Sequence, residues 1–349
     1  MKILVITNSF GTNGAAAMLR QIAGFWVEGL SWDVDAISTA NVSNSDKELV
    51  KKSGIRLMGN TVDLRPYDVV LINTLVDLNW IEKIPTKVRV VIWAHEGESM
   101  LFGVNWSARE WYEKLSRARL LIFQTPWQTQ SVYKSYLWKI PSEKIKIIPN
   151  GILPIDFQEL PSQDKNPAFK VISVGSVYPR KRPMDLARAI VNLNKKLKIS
   201  CSFVGDNSNF SMLGEEALDI STNNSEVLEW SGELHGEVLY RKLVEADILC
   251  HPSGDESFPL APLEAALLGL PVILANLECY AHVGWVTEEN CLMFPVGDVS
   301  ALQDRIERLT KDPALFQRLK SNGKILAESM SWKSFCTQMT DAMEQACTN

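Results

Sequence analysis

The chain has no C-x-x-C pair: its six cysteines stand far apart at 201, 250, 279, 291, 336 and 347. That spacing gives no zinc site and no disulfide framework, so reduced thiols in a cytosolic protein are expected. Histidine is scarce, four in 349 residues, and no two have metal-ligand spacing. Positive charge is not in excess: 36 Lys and Arg stand against 41 Asp and Glu, for a net charge of -5 and a pI near 5.6. This argues against a nucleic-acid partner. Long apolar runs are missing too. The longest nearly uncharged stretch, 257–277, is broken by Glu264, Gly269 and helix-stopping prolines, so no membrane span is expected. The opening MKILVITNSF has one lysine and a short apolar run, which suits a buried first strand better than a signal peptide. Repeats, low-complexity tracts, a G-x-G-x-x-G fingerprint and a P-loop lysine are all absent.

What is present is an ordinary globular composition, 46% apolar and 22% charged, in a chain long enough for two domains. Apolar strands at 3–6, 34–38, 55–58, 68–72, 88–93, 120–123 and 145–148 alternate with helical segments at 15–30, 106–117 and 127–137. Residues 152–170 hold three prolines and many polar side chains and are expected to be a linker. The alternation then restarts, with strands at 171–174, 199–204, 226–230, 247–250, 271–275 and 292–295. Helices are expected at 183–196, 237–245, 299–310, 313–324 and 332–345. The fold class is α/β, with two mostly parallel sheets and a ligand cleft expected between their facing strand ends.

The stretch HPSGDESFPLAPLEAALLGLPV at 251–272 carries two glutamates eight apart, Glu256 and Glu264. Pro262 suits the first position of a helix and Gly269 with Pro271 its end. Glu264 is then expected in the first turn and Glu256 in the loop before it, forming a two-carboxylate wall for a phosphate-bearing ligand with hydroxyls. The plain alternative is a solvated Glu256 and a Glu264 that only complements the helix dipole. GSVYPRKR at 175–182 places Arg180, Lys181 and Arg182 between a strand end and a helix start. Cations there can meet a diphosphate without a metal; a solvated charge cluster is the alternative.

Weaker signals surround these. Gly11 and Gly14 form half of a glycine loop, and the Gly205-Asp206 pair is weaker still. His95 ends an apolar strand beside Glu96, where it can donate to a sugar hydroxyl or to developing charge; a structural histidine is the alternative. His235 is placed near a cleft, His251 before the glutamate loop, and His282 in a structural role. Asp33 and Asp35 form a D-x-D pattern on one strand face, better explained by a solvated edge than by a metal. Six of eleven tryptophans fall at 80–138, and residues 100–148 hold eight Lys or Arg against three acids. That patch raises a peripheral contact with an anionic membrane at the inner face of the plasma membrane, with core packing as the competing account of its tryptophans.

Together these motifs resemble the GT-B glycosyltransferases of the retaining GT4 family. Glu256 to Glu264, continued by Ala265, Gly269, Pro271 and Val272, resembles its E-x7-E element. Asn150-Gly151 resembles the P-N-G before the linker, and Gly175 with Lys181 the phosphate-contacting G-R-x(4)-K. Ser331-Trp332 resembles the start of a final helix crossing back to the first domain. The resemblance covers nearly the whole chain. It implies an acceptor-side domain at 1–165, a donor domain at 166–328 and the returning helix at 329–349.

It also implies roles. Lys181 contacts the donor diphosphate, flanked by Arg180 and Arg182. Glu256 and the loop of Ser257, Phe258 and Leu260 hold the donor sugar, and Glu264 takes the ribose hydroxyls. His95 lies near the transferring sugar, Gly14 beside the donor phosphates, and Gly205, Gly232 and His235 near the base. The implied activity is metal-independent transfer of a glucose-type hexose from a UDP-sugar to a polysaccharide or lipid-linked glycan, with no cofactor required. Ser176 stands where the family has arginine, Asn13-Gly14 replaces two adjacent glycines, and Pro259 replaces a glycine. The rivals are a phosphorylase or epimerase on a similar scaffold, and a non-catalytic binder of sugar nucleotides.

Overall fold

The computed structural model describes residues 1–59, 62–155 and 168–348, so most of the expected linker lies outside the described residues. The chain divides into two compact units, Met1–Gly151 with Ser331–Asn349, and Ile152–Met330.

In the first unit the strands are β1 (Lys2–Thr7), β2 (Asp33–Ser38), β3 (Arg56–Leu57), β4 (Val69–Ile72), β5 (Val90–Ala94), β6 (Leu120–Phe123) and β7 (Ile145–Ile147). They pair in parallel in the order β3-β2-β1-β4-β5-β6-β7. Ile3, Leu4, Val69, Val70 and Val91 are wholly buried. Both faces of the central strands are therefore covered, which is why these strands read as unbroken apolar runs. The last helix, Trp332–Cys347, packs here. Its Thr340 hydroxyl accepts from Trp26 Nε1 at 3.1 Å, and Phe335 lies against Trp93. Gly151 is needed at this joint, since a Cβ there would stand 2.7 Å from Phe335 Cβ and 2.8 Å from Trp332 Cα.

The second unit has β8 (Phe169–Val174), β9 (Ile199–Val204), β10 (Leu228–Gly232), β11 (Ile248–His251), β12 (Val272–Ala275) and β13 (Leu292–Phe294). Their parallel order is β10-β9-β8-β11-β12-β13. The chain leaves β8 toward one edge and returns through β11 toward the other. Loops after β8 and β11 consequently meet at the point where strand order reverses, the usual ligand position in an open α/β sheet.

Several expectations need correction. The helix after β11 is Leu260–Leu267 and begins two residues earlier than expected, with no acidic residue in its first turn. Pro262 is its third residue, where the backbone N–H would still lack an intrahelical acceptor, so the ring costs no bond. Glu264 is accordingly one turn in. Residues 127–137 are not one helix but a π-helical turn, Gln128–Val132, followed by the short Lys134–Leu137. Asp35 is not on a solvated edge: it is buried and accepts from Arg56 at 2.7 and 2.8 Å and from Tyr67 at 2.6 Å, while Asp33 is exposed. The helix Asn44–Lys52 lacks a long apolar stripe and went unexpected, yet Ser43 and Asp46 close a capping box at its start. His282 is exposed in the last turn of Glu278–Val283.

Candidate functional site

The second unit concentrates charge where β8 and β11 end. Gly175 leaves β8 with φ of 149°, and Pro179–Lys181 form a single 3-10 turn. Arg182 follows in the left-handed region, φ 51°, and caps the helix Pro183–Asn194. A non-glycine residue there carries strain of order ~1 kcal/mol, held by the pairing of Arg182 Nε with Asp185 at 2.6 Å. The turn is fastened to the glutamate loop three times. Gly254 N–H donates to the Arg180 carbonyl at 2.8 Å, the Arg180 guanidinium donates to the Asp255 carbonyl, and Lys181 Nζ meets Glu256 Oε1 at 2.5 Å.

Lys181 and Glu256 are 75 residues apart in sequence, and their side chains are 20% and 10% exposed. His251, the last residue of β11, places Nε2 2.8 Å from the same Glu256 oxygen. Burial alone would raise the Glu256 pKa, but the Lys181 charge and the His251 hydrogen bond outweigh it and hold the carboxyl well below the usual range. A narrow crevice beside this group is lined by Gly175, Ser176, Lys181, Phe203 and His251. Gly205 abuts it: a Cβ there would fall 2.1 Å from the Gly175 carbonyl oxygen, so the end of β9 packs directly on the loop after β8.

Glu264 differs from Glu256. Among the described residues its carboxylate accepts no hydrogen bond, and burial raises its pKa. Phe258 is buried and Ser257 half-buried in the same loop, and half-buried Leu260 opens the helix that follows. The three consecutive cations face different partners. Lys181 faces Glu256, Arg180 turns to Asp255 and Tyr178, and Arg182 turns to Asp185. Gly232 ends β10 with φ of 68°, and His235 is exposed, 3.6 Å from Glu233. His251, which sequence reasoning placed only before the glutamate loop, is brought by the structure onto the Glu256 oxygen that Lys181 also meets. Its place as the last strand residue before the loop was the available signal.

In the first unit, His95 follows β5, and its ring lies tilted by 48° against Trp93 with the centroids 4.2 Å apart. Gln124 Nε2 donates to its Nδ1 at 2.8 Å and Nε2 lies 3.3 Å from Asn73 Oδ1, an arrangement that places the proton on Nε2. Burial pulls its pKa down to about 3, so the imidazole is neutral. Glu96 accepts from the N–H groups of Leu75 and His95, both at 2.9 Å, while burial pushes its pKa up to about 7. It borders a cavity of about 420 Å³ with Asn79 and Trp106. Gly14 is exposed as the first residue of Gly14–Leu30, whose start is capped by Asn13.

The basic stretch 100–148 is largely spent on internal bonds. Lys114 pairs with Glu82, Arg117 donates to the Ile81 and Ile84 carbonyls, and Lys144 to those of Ser116 and Ala118. Trp93, Trp111 and Trp127 are core residues, whereas Trp138 is 70% exposed beneath Lys139. Among the described residues no group of three or more His, Cys, Asp or Glu is placed to hold a metal ion.

Two parallel α/β units, with an acidic loop bound to a lysine turn at the switch point of the second, define a protein of the GT-B fold. Residues 155–326 match the family "Glycosyl transferases group 1", so the second half of the chain is a domain of that family. It is 26% identical over 210 residues to an MMP alpha-(1->4)-mannosyltransferase of Mycolicibacterium hassiacum, covering 59% of this chain and 50% of that one. It is likewise 26% identical over 190 residues to the O-antigen biosynthesis glycosyltransferase WclY of Escherichia coli, covering 51% and 50%. The chain thus spans about half the length of these curated relatives. In fold it is similar to HepE of Anabaena, solved in complex with UDP and glucose, with a TM-score of 0.81, 18% identity and 99% of each chain covered.

Proposed function

We propose that this protein is a retaining glycosyltransferase of the GT4 type. It moves a glucose-type hexose from a UDP-sugar to a hydroxyl of a polysaccharide or lipid-linked glycan, without a metal. The observation that carries this reading is the Lys181–Glu256 contact at 2.5 Å, with a half-buried Glu264 whose carboxylate is unused in the helix that follows the glutamate loop. The lysine supplies positive charge for a diphosphate, and Glu264 supplies acceptors for a pair of ribose hydroxyls. HepE, similar in fold, was solved with UDP-glucose, which supports UDP as the carrier. The relatives' names include mannosyltransferases, which supports a hexose.

In the reaction the acceptor hydroxyl oxygen bonds to the anomeric carbon on the face from which the diphosphate departs. The bond between that carbon and the phosphate oxygen breaks, its electron pair stays on the diphosphate, and the hydroxyl proton passes to a phosphate oxygen. Lys181 and loop amides stabilise the departing charge. Glu256, already bound to a lysine and a histidine, orients the sugar rather than attacking it. Neutral His95 donates a hydrogen bond from Nε2 to a sugar oxygen and keeps its proton. Exposed Trp138 with Lys134 and Lys139 is the part of the first unit suited to an anionic membrane at the cytoplasmic face.

A non-catalytic binder is favoured by one observation: neither Arg180 nor Arg182 takes the place of the arginine that Ser176 replaces, since each is engaged with an aspartate. Calorimetric titration with UDP-, GDP- and ADP-sugars in EDTA, followed by assay of donor hydrolysis, separates the readings. The transferase reading predicts UDP-sugar binding and slow hydrolysis that Lys181→Ala and Glu256→Ala abolish. Binding without hydrolysis would make the protein a binder, and no binding of any sugar nucleotide would remove both.

A further inference from the structure

Glu256 has two donors on one oxygen, and they are not equivalent. Lys181 sits on a turn whose side-chain stem would stand 4.0 Å from a Cβ built on Gly175, with 20% of that side chain exposed. It can leave Glu256 for an anion arriving in the crevice. His251 cannot leave: it is the final residue of β11, its side chain is 5% exposed, and its strand pairs with β12 through His251 and Leu274. Among the described residues its buried Nδ1 has no hydrogen-bond partner, and the polar contact the ring makes there is the one from Nε2 to Glu256 at 2.8 Å.

We propose that His251 is a positioning residue that keeps the Glu256 carboxylate ionised and in place when Lys181 turns away to a diphosphate. The proposal rests on the reading of this site as a diphosphate site, but its physical core does not need a nucleotide. When Lys181 pairs with an anion, Glu256 loses its cation inside a mostly buried pocket, where an isolated carboxylate would take up a proton or swing to solvent. An N–H fixed by a strand end holds both the charge and the rotamer. The lysine is then free to act on the ligand without the glutamate following it or collapsing. Nothing in the strand register explains a histidine at this place, since an apolar residue would fill the end of β11 without leaving a buried nitrogen unpaired.

Lys181→Met mimics the departure of the lysine with no ligand present. The full chain, labelled with carboxyl-13C glutamate and with the Glu256 signal assigned through Glu256→Gln, is followed by NMR at neutral pH. In Lys181→Met, Glu256 is expected to remain ionised; in Lys181→Met with His251→Phe it is expected to be protonated or shifted to the solvent-exposed value. His251→Gln, whose amide can donate to the same oxygen, is expected to restore the ionised signal in the Lys181→Met background and guards against simple misfolding of the phenylalanine variant. Histidine 15N spectra of the four-histidine chain should show His251 protonated on Nε2. If the enzyme hydrolyses UDP-glucose, His251→Phe lowers kcat roughly tenfold or more with a smaller change in UDP affinity. An ionised, unshifted Glu256 in the double variant would overturn the proposal. Failure of the wild type to bind UDP would overturn the functional reading alone, leaving the Lys181→Met comparison to decide the role of His251.

Discussion

Removing one partner of the Lys181–Glu256 pair should destabilise the second unit more than its share of removing both. The two side chains are 20% and 10% exposed, so the gross attraction at a charge separation near 4 Å with an effective dielectric of 20 is about 4 kcal/mol. Partial solvent access and desolvation reduce the net value. Glu256→Gln leaves the Lys181 charge in a mostly buried place and is expected to cost about 2–3 kcal/mol. Lys181→Met leaves Glu256 with the His251 N–H and is expected to cost about 1–2 kcal/mol. The double variant should cost about 2 kcal/mol, giving a coupling of about 2 kcal/mol. Urea denaturation, with hydrogen exchange in β8 and β11 reporting on the second unit, measures all four corners. The pH dependence has a definite sign. Because the Glu256 pKa is held below its unfolded value, the stabilisation is present above the ordinary carboxylate range and is lost as pH falls through the folded pKa. The difference between wild type and Glu256→Gln should therefore shrink in acid. Additivity of the two single substitutions within about 0.5 kcal/mol would refute the pair as an energetic unit.

Other consequences are independent of that pair. His95 has its pKa lowered to about 3. Between there and its unfolded value the unfolded chain binds the extra proton, so stability is lost as pH falls, by about 2 kcal/mol from pH 6.5 to 5; His95→Gln should flatten that part of the stability profile. Gly205→Ala would drive a methyl into the Gly175 carbonyl and should cost about 2–4 kcal/mol, measured by urea denaturation. Burial pushes the Cys291 thiol up to about 12 and that of Cys336 up to about 11. Half-buried Cys347 should therefore be alkylated first at pH 8, with Cys201, Cys250 and Cys279 protected until denaturant is added.

The mostly parallel sheets were accessible from sequence because β1, β4 and β5 are built on continuous apolar runs, which a doubly covered parallel sheet holds. The helix Asn44–Lys52 was not, since its side chains are mostly polar and only Val50 among them is buried. At the site, glycine and proline positions marked the loops after β8 and β11, and the spacing of Glu256 and Glu264 marked the acidic wall. The direction of a long cationic side chain is set by neighbours distant in sequence. RKR at 180–182 therefore looked like one cluster and resolved into three separate pairs. His251 was obscured although its partner Glu256 is five residues on, because sequence alone does not show that the loop between them turns back. Pro262 misled by a local rule that holds at several positions of a first turn.

The central claim is that a diphosphate is held by Lys181 with its nucleoside sugar on Glu264. A crystal structure of the full chain soaked with UDP tests it most directly. The account predicts phosphate oxygens within hydrogen-bond reach of Lys181 Nζ, ribose hydroxyls on the Glu264 carboxylate, and Glu256 retained by His251. Phosphates bound elsewhere, with the Lys181–Glu256 contact intact and Glu264 empty, would contradict it.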